Sequence, residues 1–303
     1  MSKCTESPSG LVIVNKGEGI TSQGVVNRVK RIFGAAKAGH TGTLDPMATG
    51  VLPVLIGRGV KASEFMLTSE KHYGATLLLG VSTDTEDVTG TVLTETEVNL
   101  SEAEVLAAID GFVGEIMQTP PMYSALKVGG KKLCDLARRG ETVEREPRPV
   151  TVYSIKAKRL NDREYYLDVV CSKGTYIRTL CADIGKTLGV GGAMKTLDRL
   201  SASGYTLDEA HTLEELEAMT DGERKSCILP VEDVFKKYES VILPDFFARL
   251  AHSGLEIYLH KIKKSLELGE VVRLYDGDGF FAVGEVRAFD DGLAIKPIRQ
   301  FRD

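Results

Sequence analysis

Residues 39–54 constrain the fold more than any other segment of this chain. They contain three glycines and two prolines around one acid, Asp45, and one histidine, His40. Glycine adopts backbone conformations that other residues avoid and proline fixes φ, so this composition predicts a rigid, irregular loop. Such a loop can present Asp45 for chemistry, or it can be a turn that its own aspartate caps. It contains neither a Walker phosphate loop nor a dinucleotide-binding fingerprint.

The chain has 303 residues, of which 43% are apolar and 27% charged. These values are typical of a soluble globular protein with two domains, or with one domain and a small appendage. The longest uncharged, largely apolar stretch, residues 46–57, holds two prolines and is shorter than the about 20 residues that a membrane helix needs. Residues 1–8 lack an apolar signal region, so we expect a cytoplasmic protein without membrane spans.

The cysteines and histidines show no metal-binding or disulfide pattern. The cysteines are odd in number, scattered and free of Cys-x-x-Cys pairs: Cys4, Cys134, Cys171, Cys181 and Cys227. This argues against a disulfide framework and a zinc finger, and free thiols in a reducing compartment are the simpler interpretation. The five histidines also lack metal-binding spacing, so we expect no metal.

The net charge of −5 hides a segregation of charge along the chain. Residues 22–40 carry four basic residues and no acid, and residues 127–148 carry seven basic residues against four acids. Residues 81–104 and 208–223 each carry seven acids and no lysine or arginine. The basic segments can form a face for a nucleic acid, because local potential matters more than net charge. Ordinary solvated surface charge is the alternative.

Apolar periodicity predicts a mixture of strands and helices. Ser22 is expected to cap a helix with an apolar face of Val25, Val26, Val29, Ile32 and Phe33. Residues 101–104 form a capping box for another helix. Strands are predicted at residues 11–14, 51–56, 71–80, 150–157 and 165–171, and a further helix at 176–188.

Two regions depart from this pattern. Residues 118–149 have prolines near both ends and enclose a Gly-Gly pair and a short basic helix at 131–139, which predicts an inserted, partly mobile arm. Residues 239–303 contain Asp-Gly pairs between short apolar runs, a hairpin signal. We therefore expect a flexible tail at 1–10, a main domain at 11–238 that includes the arm, and a small, mainly β domain at 239–303.

Residues 171–178 are the second segment that could carry chemistry. The chain leaves an apolar strand, turns at Gly174 and enters a helix, with Tyr176 and Arg178 near the helix start. Arg178 could hold a carboxylate in its charged form. A helix cap followed by a surface arginine explains the same pattern.

Taken together, five segments resemble the bacterial tRNA pseudouridine-55 synthase family. They occur in the family's order and at about its spacing, at residues 40–53, 71–73, 121–127, 171–178 and 197–199. The resemblance implies an isomerase that converts a uridine in the T loop of tRNA to pseudouridine, with no metal or organic cofactor. It also implies that the enzyme is a monomer that binds the T arm of tRNA without a guide RNA or a membrane.

The resemblance implies an α+β fold, with a mixed, largely antiparallel central sheet, flanking helices and a small C-terminal PUA-like RNA-binding domain. By matching position, Asp45 would be the catalytic aspartate, Tyr73 would stack on the base and assist proton transfer, and Arg178 would pair with Asp45. The substrate-binding residues would be His40, Tyr176, Leu197 and Lys16. The arm would clamp the tRNA through Lys127, Lys131, Lys132, Arg138 and Arg139.

One position departs from the family pattern. Gly17 follows Lys16 where the family usually has proline, which lowers the backbone rigidity expected around Lys16. Two alternatives also stay open. The guide-RNA-dependent synthases of archaea and eukaryotes are related, although the short C-terminus without a basic tail and the presence of the arm disfavour them. A non-catalytic RNA-binding or RNA-folding module is the other, but binding alone does not require Asp45, Tyr73 and Arg178.

Overall fold

The computed structural model describes residues 7–67 and 70–302, with the side chain of Lys132 outside the description. The strands are β1 (Gly10–Lys16), β2 (Ala38–His40), β3 (Thr49–Ile56), β4 (Lys71–Leu79), β5 (Val81–Thr83), β6 (Val92–Glu95), β7 (Gly114–Gln118), β8 (Lys127–Val128), β9 (Lys131–Lys132), β10 (Arg148–Arg159), β11 (Glu164–Cys171), β12 (Gly192–Ala202), β13 (Tyr205–Thr206), β14 (Glu239–Ile242), β15 (Ile257–Tyr258), β16 (Val271–Asp276), β17 (Gly279–Phe289) and β18 (Gly292–Gln300). The helices are α1 (Ser22–Ile32), α2 (Ser63–Met66), α3 (Glu102–Asp110), α4 (Leu133–Ala137), α5 (Ile177–Thr187), α6 (Leu213–Ala218), α7 (Asp221–Ser226), α8 (Asp245–His252) and α9 (Leu259–Ile262). No helix within these described ranges is long and apolar enough to cross a membrane.

The main sheet has nine strands. Its order is β1-β3-β12-β4-β11-β10-β7, with β2 added to β3 and β13 added to β12. In the part of the chain that is described, each of its ladders is antiparallel apart from a short parallel contact between β3 and β12. The prediction of a mixed, largely antiparallel sheet is therefore confirmed.

The parallel contact between β3 and β12 requires a glycine. Gly50 lies opposite Arg199 in this register and has φ of 103°. A Cβ atom at position 50 would lie 2.3 Å from the Arg199 carbonyl oxygen, which no side chain can tolerate. Gly50 thus lets the end of the 39–54 loop approach the centre of the sheet.

Helix α1 covers β1 and β3 with Val25, Val26 and Val29, which are buried. Its N-cap is Thr21, whose side chain accepts a hydrogen bond from the Gly24 amide, so the prediction that Ser22 caps the helix is wrong. The Ser22 hydroxyl instead accepts from the Leu44 amide at 2.8 Å and donates to the Leu44 carbonyl at 3.0 Å. Ser22 therefore holds the loop that carries Asp45.

The start of the described chain is fixed to the main domain. Residues 1–6 of the expected tail lie outside the described residues. Ser7 accepts a hydrogen bond from the Ala36 amide and Ser9 one from the Arg58 amide, each at 3.0 Å. Gly10 already begins β1, so the expectation of a loose tail does not hold for residues 7–10.

The arm at residues 118–149 contains more than a basic helix. A two-stranded ribbon of β8 and β9 leads into the short helix α4, whose Leu133 and Leu136 are buried. The predicted basic helix is therefore shorter, because two of its residues form β9 and two follow its C-terminal end. Four of the predicted RNA-binding side chains of the arm are exposed: Lys127, Lys131, Arg138 and Arg139. The side chain of Lys132 lies outside the description.

The first basic segment meets one of the acidic segments across the fold. The Arg28 guanidinium bonds Glu217 at 2.7 Å and Glu214 at 3.1 Å, and Arg31 lies 3.5 Å from Glu217. These arginines lie on α1 and the glutamates on α6. Two of the four basic residues of the predicted basic face at residues 22–40 are therefore paired with acids of the protein itself.

Residues 239–303 contain a second sheet. Its five strands have the order β14-β16-β17-β18-β15, and they pack with α8 and α9 around their own apolar core. The two sheets share a further apolar cluster, in which the Phe235 ring lies between Phe65 and Phe301 with centroid distances of 5.0 and 5.3 Å. Arg299 also pairs with Glu64 of the main domain.

An aspartate at the end of β16 organises this small sheet. The Asp276 carboxylate accepts hydrogen bonds from Arg302, from the His252 ring at 2.9 Å and from the Asp278 amide at 2.8 Å. Burial opposes ionisation, but these three donors together lower the pKa of Asp276 to about 2. The charged carboxylate thus joins α8, the turn after β16 and the C-terminal segment.

Candidate active site

A buried lysine fixes the loop that carries Asp45. The Lys16 side chain is fully buried, and its Nζ donates to the carbonyls of Gly17 at 2.9 Å, Pro46 at 3.1 Å and Ala48 at 2.5 Å. Burial lowers the pKa of Lys16 to about 8, while the charge of Asp45 opposes that shift. Backbone carbonyls of the Asp45 loop therefore help to hold the Lys16 ammonium in its buried position.

Asp45 lies against the arginine that the sequence singled out. Arg178 Nε is 3.0 Å from Asp45 Oδ2, and Nη2 donates to Asp45 Oδ1 at 3.4 Å. The arginine side chain is 6% exposed, whereas that of Asp45 is 30% exposed. The contact is two-pronged, as a guanidinium and a carboxylate prefer, and it leaves part of the carboxylate open to a ligand.

The Arg178 guanidinium is held on its other side as well. Its Nη1 donates to the Thr85 carbonyl at 3.1 Å and contacts Asp87 Oδ2 at 3.4 Å. Its Nη2 donates to the carbonyl of Tyr123, a residue of the arm, at 2.8 Å. Acceptors around the guanidinium fix its plane and therefore its orientation toward Asp45.

Sequence reasoning missed Asp87. The residue is 4% exposed, and its carboxylate accepts from the Thr85 hydroxyl at 2.8 Å and from the Thr89 amide at 3.0 Å. Asp87 lies in the acidic segment 81–104, where a single acid looks like solvated surface charge. Its burial arises only when the loop after β5 folds over α5, which no local pattern reports.

Burial and neighbouring charges shift the pKa of the Asp45 carboxylate in opposite directions. Burial raises its pKa above the ordinary value, the Arg178 guanidinium lowers it, the charge of Asp87 raises it, and Lys16 lowers it. The net direction is upward. Arg178 therefore offsets the cost of burying the carboxylate only in part, and Asp45 binds a proton more readily than an exposed aspartate.

A second buried arginine organises the other side of the site. Arg199 is 1% exposed, and it donates to the Val51 carbonyl at 2.7 Å and to the Gly42 carbonyl at 3.2 Å. It lies opposite Tyr73 in the ladder between β12 and β4. Burial raises the pKa of Tyr73, and Arg199 opposes that shift. Tyr73 is thus a neutral, 6% exposed ring at ordinary pH.

The three remaining substrate residues named from the sequence lie in this region. His40 Nδ1 accepts from the Gly42 amide at 3.2 Å, and burial, with Arg199, lowers the pKa of His40. Tyr176 is half-buried at the start of α5. Leu197 is 7% exposed and belongs to the same apolar cluster as Tyr73.

The described part of the chain contains no group of three or more histidine, cysteine, aspartate and glutamate side chains that could hold a metal ion. The described cysteines are free thiols: Cys134, Cys171, Cys181 and Cys227. Cys4 lies outside the described residues. What the site offers is an aspartate, its arginine, a tyrosine and an apolar surface.

Comparison with known proteins gives a consistent result. Residues 30–177 match the model of the TruB family pseudouridylate synthase N-terminal domain, and residues 178–236 match the tRNA pseudouridylate synthase B C-terminal domain. The chain is 42% identical to the tRNA pseudouridine synthase B of Alkaliphilus oremlandii, over 93% of this chain and 94% of that protein. It is 43% identical to that of Saccharophagus degradans, over 92% of each.

Among solved structures, the chain resembles one of a Cbf5-Nop10-Gar1 complex with a TM-score of 0.70 and 26% identity, covering 96% of this chain and 84% of that one. A structure of the archaeal box H/ACA Nop10-Cbf5 complex has a TM-score of 0.69 at 24% identity, covering 96% and 86%, and supports the fold. The extent and identity of these matches establish that the chain belongs to the TruB family of pseudouridine synthases.

Proposed function

We propose that this enzyme isomerises uridine 55 in the T loop of tRNA to pseudouridine, as a monomer and without a guide RNA. The relatives named tRNA pseudouridine synthase B align over more than nine tenths of the chain. The observation that carries the proposal is the pair of Asp45 and Arg178, in which a buried guanidinium orients a carboxylate that stays partly open.

The reaction breaks the bond between N1 of uracil and C1′ of the ribose and forms a bond between C5 and C1′. N1 gains a proton and C5 loses one, so the change is an isomerisation that needs no oxidant or co-substrate. Asp45 acts as the ionised carboxylate of this exchange. Arg178 keeps the carboxylate oriented, and its charge lowers a pKa that burial raises.

The uridine must leave its stack to reach Asp45. Enzymes that act on a base inside folded nucleic acid extrude it into a pocket, at a cost of a few kcal/mol. Tyr73 and Leu197 offer an apolar surface to the flipped base, and stacking on an aromatic ring offsets part of that cost. Tyr176 and His40 border the same loop region and complete the substrate contacts.

The arm supplies the contacts to the tRNA backbone. The described cations Lys127, Lys131, Arg138 and Arg139 are exposed, and the arm reaches the site through the Tyr123 carbonyl. Residues 239–303 act as a PUA-like RNA-binding domain, whose fixed contact with the main domain would place a second RNA-binding surface at a constant distance from Asp45. Recognition then rests on RNA shape and splayed loop bases.

The test is release of tritium from a tRNA transcript labelled at C5 of uridine, with purified protein and no added metal, cofactor, guide RNA or partner protein. We expect about one tritium per tRNA from the wild type, because one C5 proton is lost at each event. Asp45→Asn should bind the tRNA and release nothing, and Asp84→Asn, an exposed aspartate of the loop between β5 and β6, is the control that should match the wild type.

The same assay separates the alternatives. A guide-dependent enzyme would release no tritium from bare tRNA and would require a guide RNA, as an H/ACA-type complex would. A non-catalytic RNA-folding module would bind the transcript and release nothing in any combination. Release mapped to a uridine other than position 55 would contradict the proposed position while leaving the isomerase intact.

A further inference from the structure

Gln118 stands where the arm leaves the main sheet. It is the last residue of β7 and lies opposite Arg148 of β10, the strand that receives the returning end of the arm. Although it is a polar side chain at the edge of a loop, Gln118 is only 1% exposed. A buried side-chain amide must find partners for both its donor and its acceptor.

Both partners of the Gln118 amide belong to one residue. The Tyr176 amide donates to Gln118 Oε1 at 2.8 Å, and Gln118 Nε2 donates to the Tyr176 carbonyl at 3.0 Å. The two contacts allow one orientation of the amide, because a flipped amide would place donor against donor and acceptor against acceptor. Since both partners are backbone atoms, the residue at position 118 alone decides whether this pair exists.

Tyr176, the residue that Gln118 bonds, lies directly before the helix that carries Arg178. Tyr176 precedes α5, and its own side chain makes no capping bond there. Its carbonyl also accepts the first helical bond, from the Leu180 amide at 3.0 Å. Gln118 therefore fixes the backbone at which the direction of α5, and hence the position of Arg178, is set.

A second contact joins the same two parts of the molecule. Arg178 Nη2 donates to the carbonyl of Tyr123 at 2.8 Å, five positions after Gln118. The root of the arm thus contacts the start of α5 both through a side-chain amide and through a carbonyl. A displacement of the arm root cannot occur without changing the surroundings of Tyr176, Arg178 or both.

We propose that Gln118 is a positioning residue of this enzyme, which acts on the reaction through Tyr176 and Arg178 by tying the root of the RNA-binding arm to the start of α5. This inference rests on the proposed function, because it gives Tyr176 and Arg178 their roles there. Gln118 does not touch the substrate, so its effect appears in the rate of the bound complex and not in the affinity for tRNA.

The test compares single-turnover tritium release at saturating enzyme with tRNA affinity from filter binding. Gln118→Met keeps the volume and removes both hydrogen bonds. We expect its rate to fall about 10- to 100-fold, as for misplacement of reacting groups, with a Kd within about twofold of the wild type. Gln300→Ala is the matched control, because Gln300 Nε2 also donates to two backbone carbonyls, those of Ala251 and His252, far along the chain in the second sheet.

A double-mutant cycle with Tyr176→Ala shows how much of the effect of Gln118 passes through the Tyr176 ring. Tyr176→Ala keeps the backbone atoms that bond Gln118, so Gln118→Met should still reduce the rate in that background, through Arg178, and the loss should be smaller than in the wild type by the part that the ring carries. Gln300→Ala and Tyr176→Ala should multiply. If Gln118→Met does not fold, Gln118→Glu, which keeps the acceptor for the Tyr176 amide, is judged by the same criteria.

The outcomes are distinct. A Gln118→Met rate per folded molecule within about threefold of the wild type would overturn the role of Gln118 alone. No tritium release by the wild type, or equal release by Asp45→Asn, would overturn the proposed function and with it this inference. A slower rate of Gln118→Met at unchanged affinity, with Gln300→Ala at the wild-type rate, supports it.

Discussion

Asp45 and Asp276 are partly buried aspartates that each pair with an arginine, yet their carboxylates respond in opposite ways. Asp276, in the small sheet, accepts from Arg302, His252 and a backbone amide, and its pKa falls to about 2. Asp45, in the main domain, lies 3.0 Å from Arg178, yet its pKa is raised. The same pairing of residue types therefore serves two different purposes.

The difference lies in what else surrounds each carboxylate. Asp276 is saturated with donors, so its charged form stabilises the fold. Asp45 shares its arginine with a second acid, Asp87, and with two backbone carbonyls. A carboxylate that a structure leaves short of donors is costly to the fold and available to a substrate, which is the usual trade between stability and activity.

The sharpest test exchanges each aspartate for its neutral amide. Asp45→Asn should lower turnover by more than about 10³-fold, because Asp87, the other carboxylate on Arg178, is buried and cannot take its place. Its melting temperature should not fall, since a raised pKa means that the charged form costs stability at neutral pH. Asp276→Asn should lower the melting temperature and leave turnover per folded molecule normal. The comparison is contradicted if both variants lose turnover, or if both lose stability.

Removal of the Asp87 charge should lower the pKa of Asp45 and loosen the orientation of Arg178. Asp87→Asn leaves Arg178 with one carboxylate, so its plane is less well fixed and turnover should fall about 10- to 100-fold. Because the charge of Asp87 raises the pKa of Asp45, the acid limb of the rate–pH profile should move to lower pH. The profile of Asp84→Asn, at an exposed position of the same hairpin, serves as the control, and an unmoved limb in Asp87→Asn would show that the two acids are not coupled.

The Asp276 cluster should be visible in acid. A folded-state pKa of about 2 against an ordinary value of 3.8 means that the pair contributes roughly 2 kcal/mol above pH 4. That stability is lost as the pH falls through the range from 3.8 to 2. Thermal unfolding followed between pH 5 and 2 should show a steeper decline for the wild type than for Asp276→Asn, and parallel curves would refute the assignment.

The smallest effect concerns the backbone next to Lys16. A Cβ atom added at position 17 would meet no other atom within 4 Å, and Lys16 before it is extended in β1, as a residue that precedes proline should be. Gly17→Pro keeps the carbonyl that accepts from Lys16 and should add about 0.4–1 kcal/mol by restricting the unfolded chain. Denaturant unfolding measures this, and a loss of stability would show that the Gly17 conformation matters in its own right.

Local composition carried much of the prediction. The glycines and prolines of residues 39–54 predicted the irregular loop, and the strand–turn–helix pattern at 171–178 placed Arg178 at a helix start. Those features depend on neighbours in sequence. The resemblance supplied the pairing of Arg178 with Asp45 and the mixed sheet, which composition alone does not specify.

What the sequence did not reveal depends on residues far apart in the chain. The buried Asp87 carboxylate pairs with Arg178, 91 positions away, and the Ser22 hydroxyl bonds Leu44 instead of capping the helix. Arg28 meets its acidic partner 189 positions on. In each case the local pattern predicted a reasonable structure, and a tertiary contact replaced it.

The neutralisation of α1 by α6 bears on how an RNA reaches this protein. With Arg28 and Arg31 already engaged by α6, a polyanion approaching this molecule of net charge −5 is attracted more strongly to the exposed cations of the arm than to α1. Such an uneven electrostatic field orients the RNA and the protein before they make contact. The field therefore favours collisions in which the RNA meets the arm. We expect ionic strength to change the association rate constant more than the dissociation rate constant.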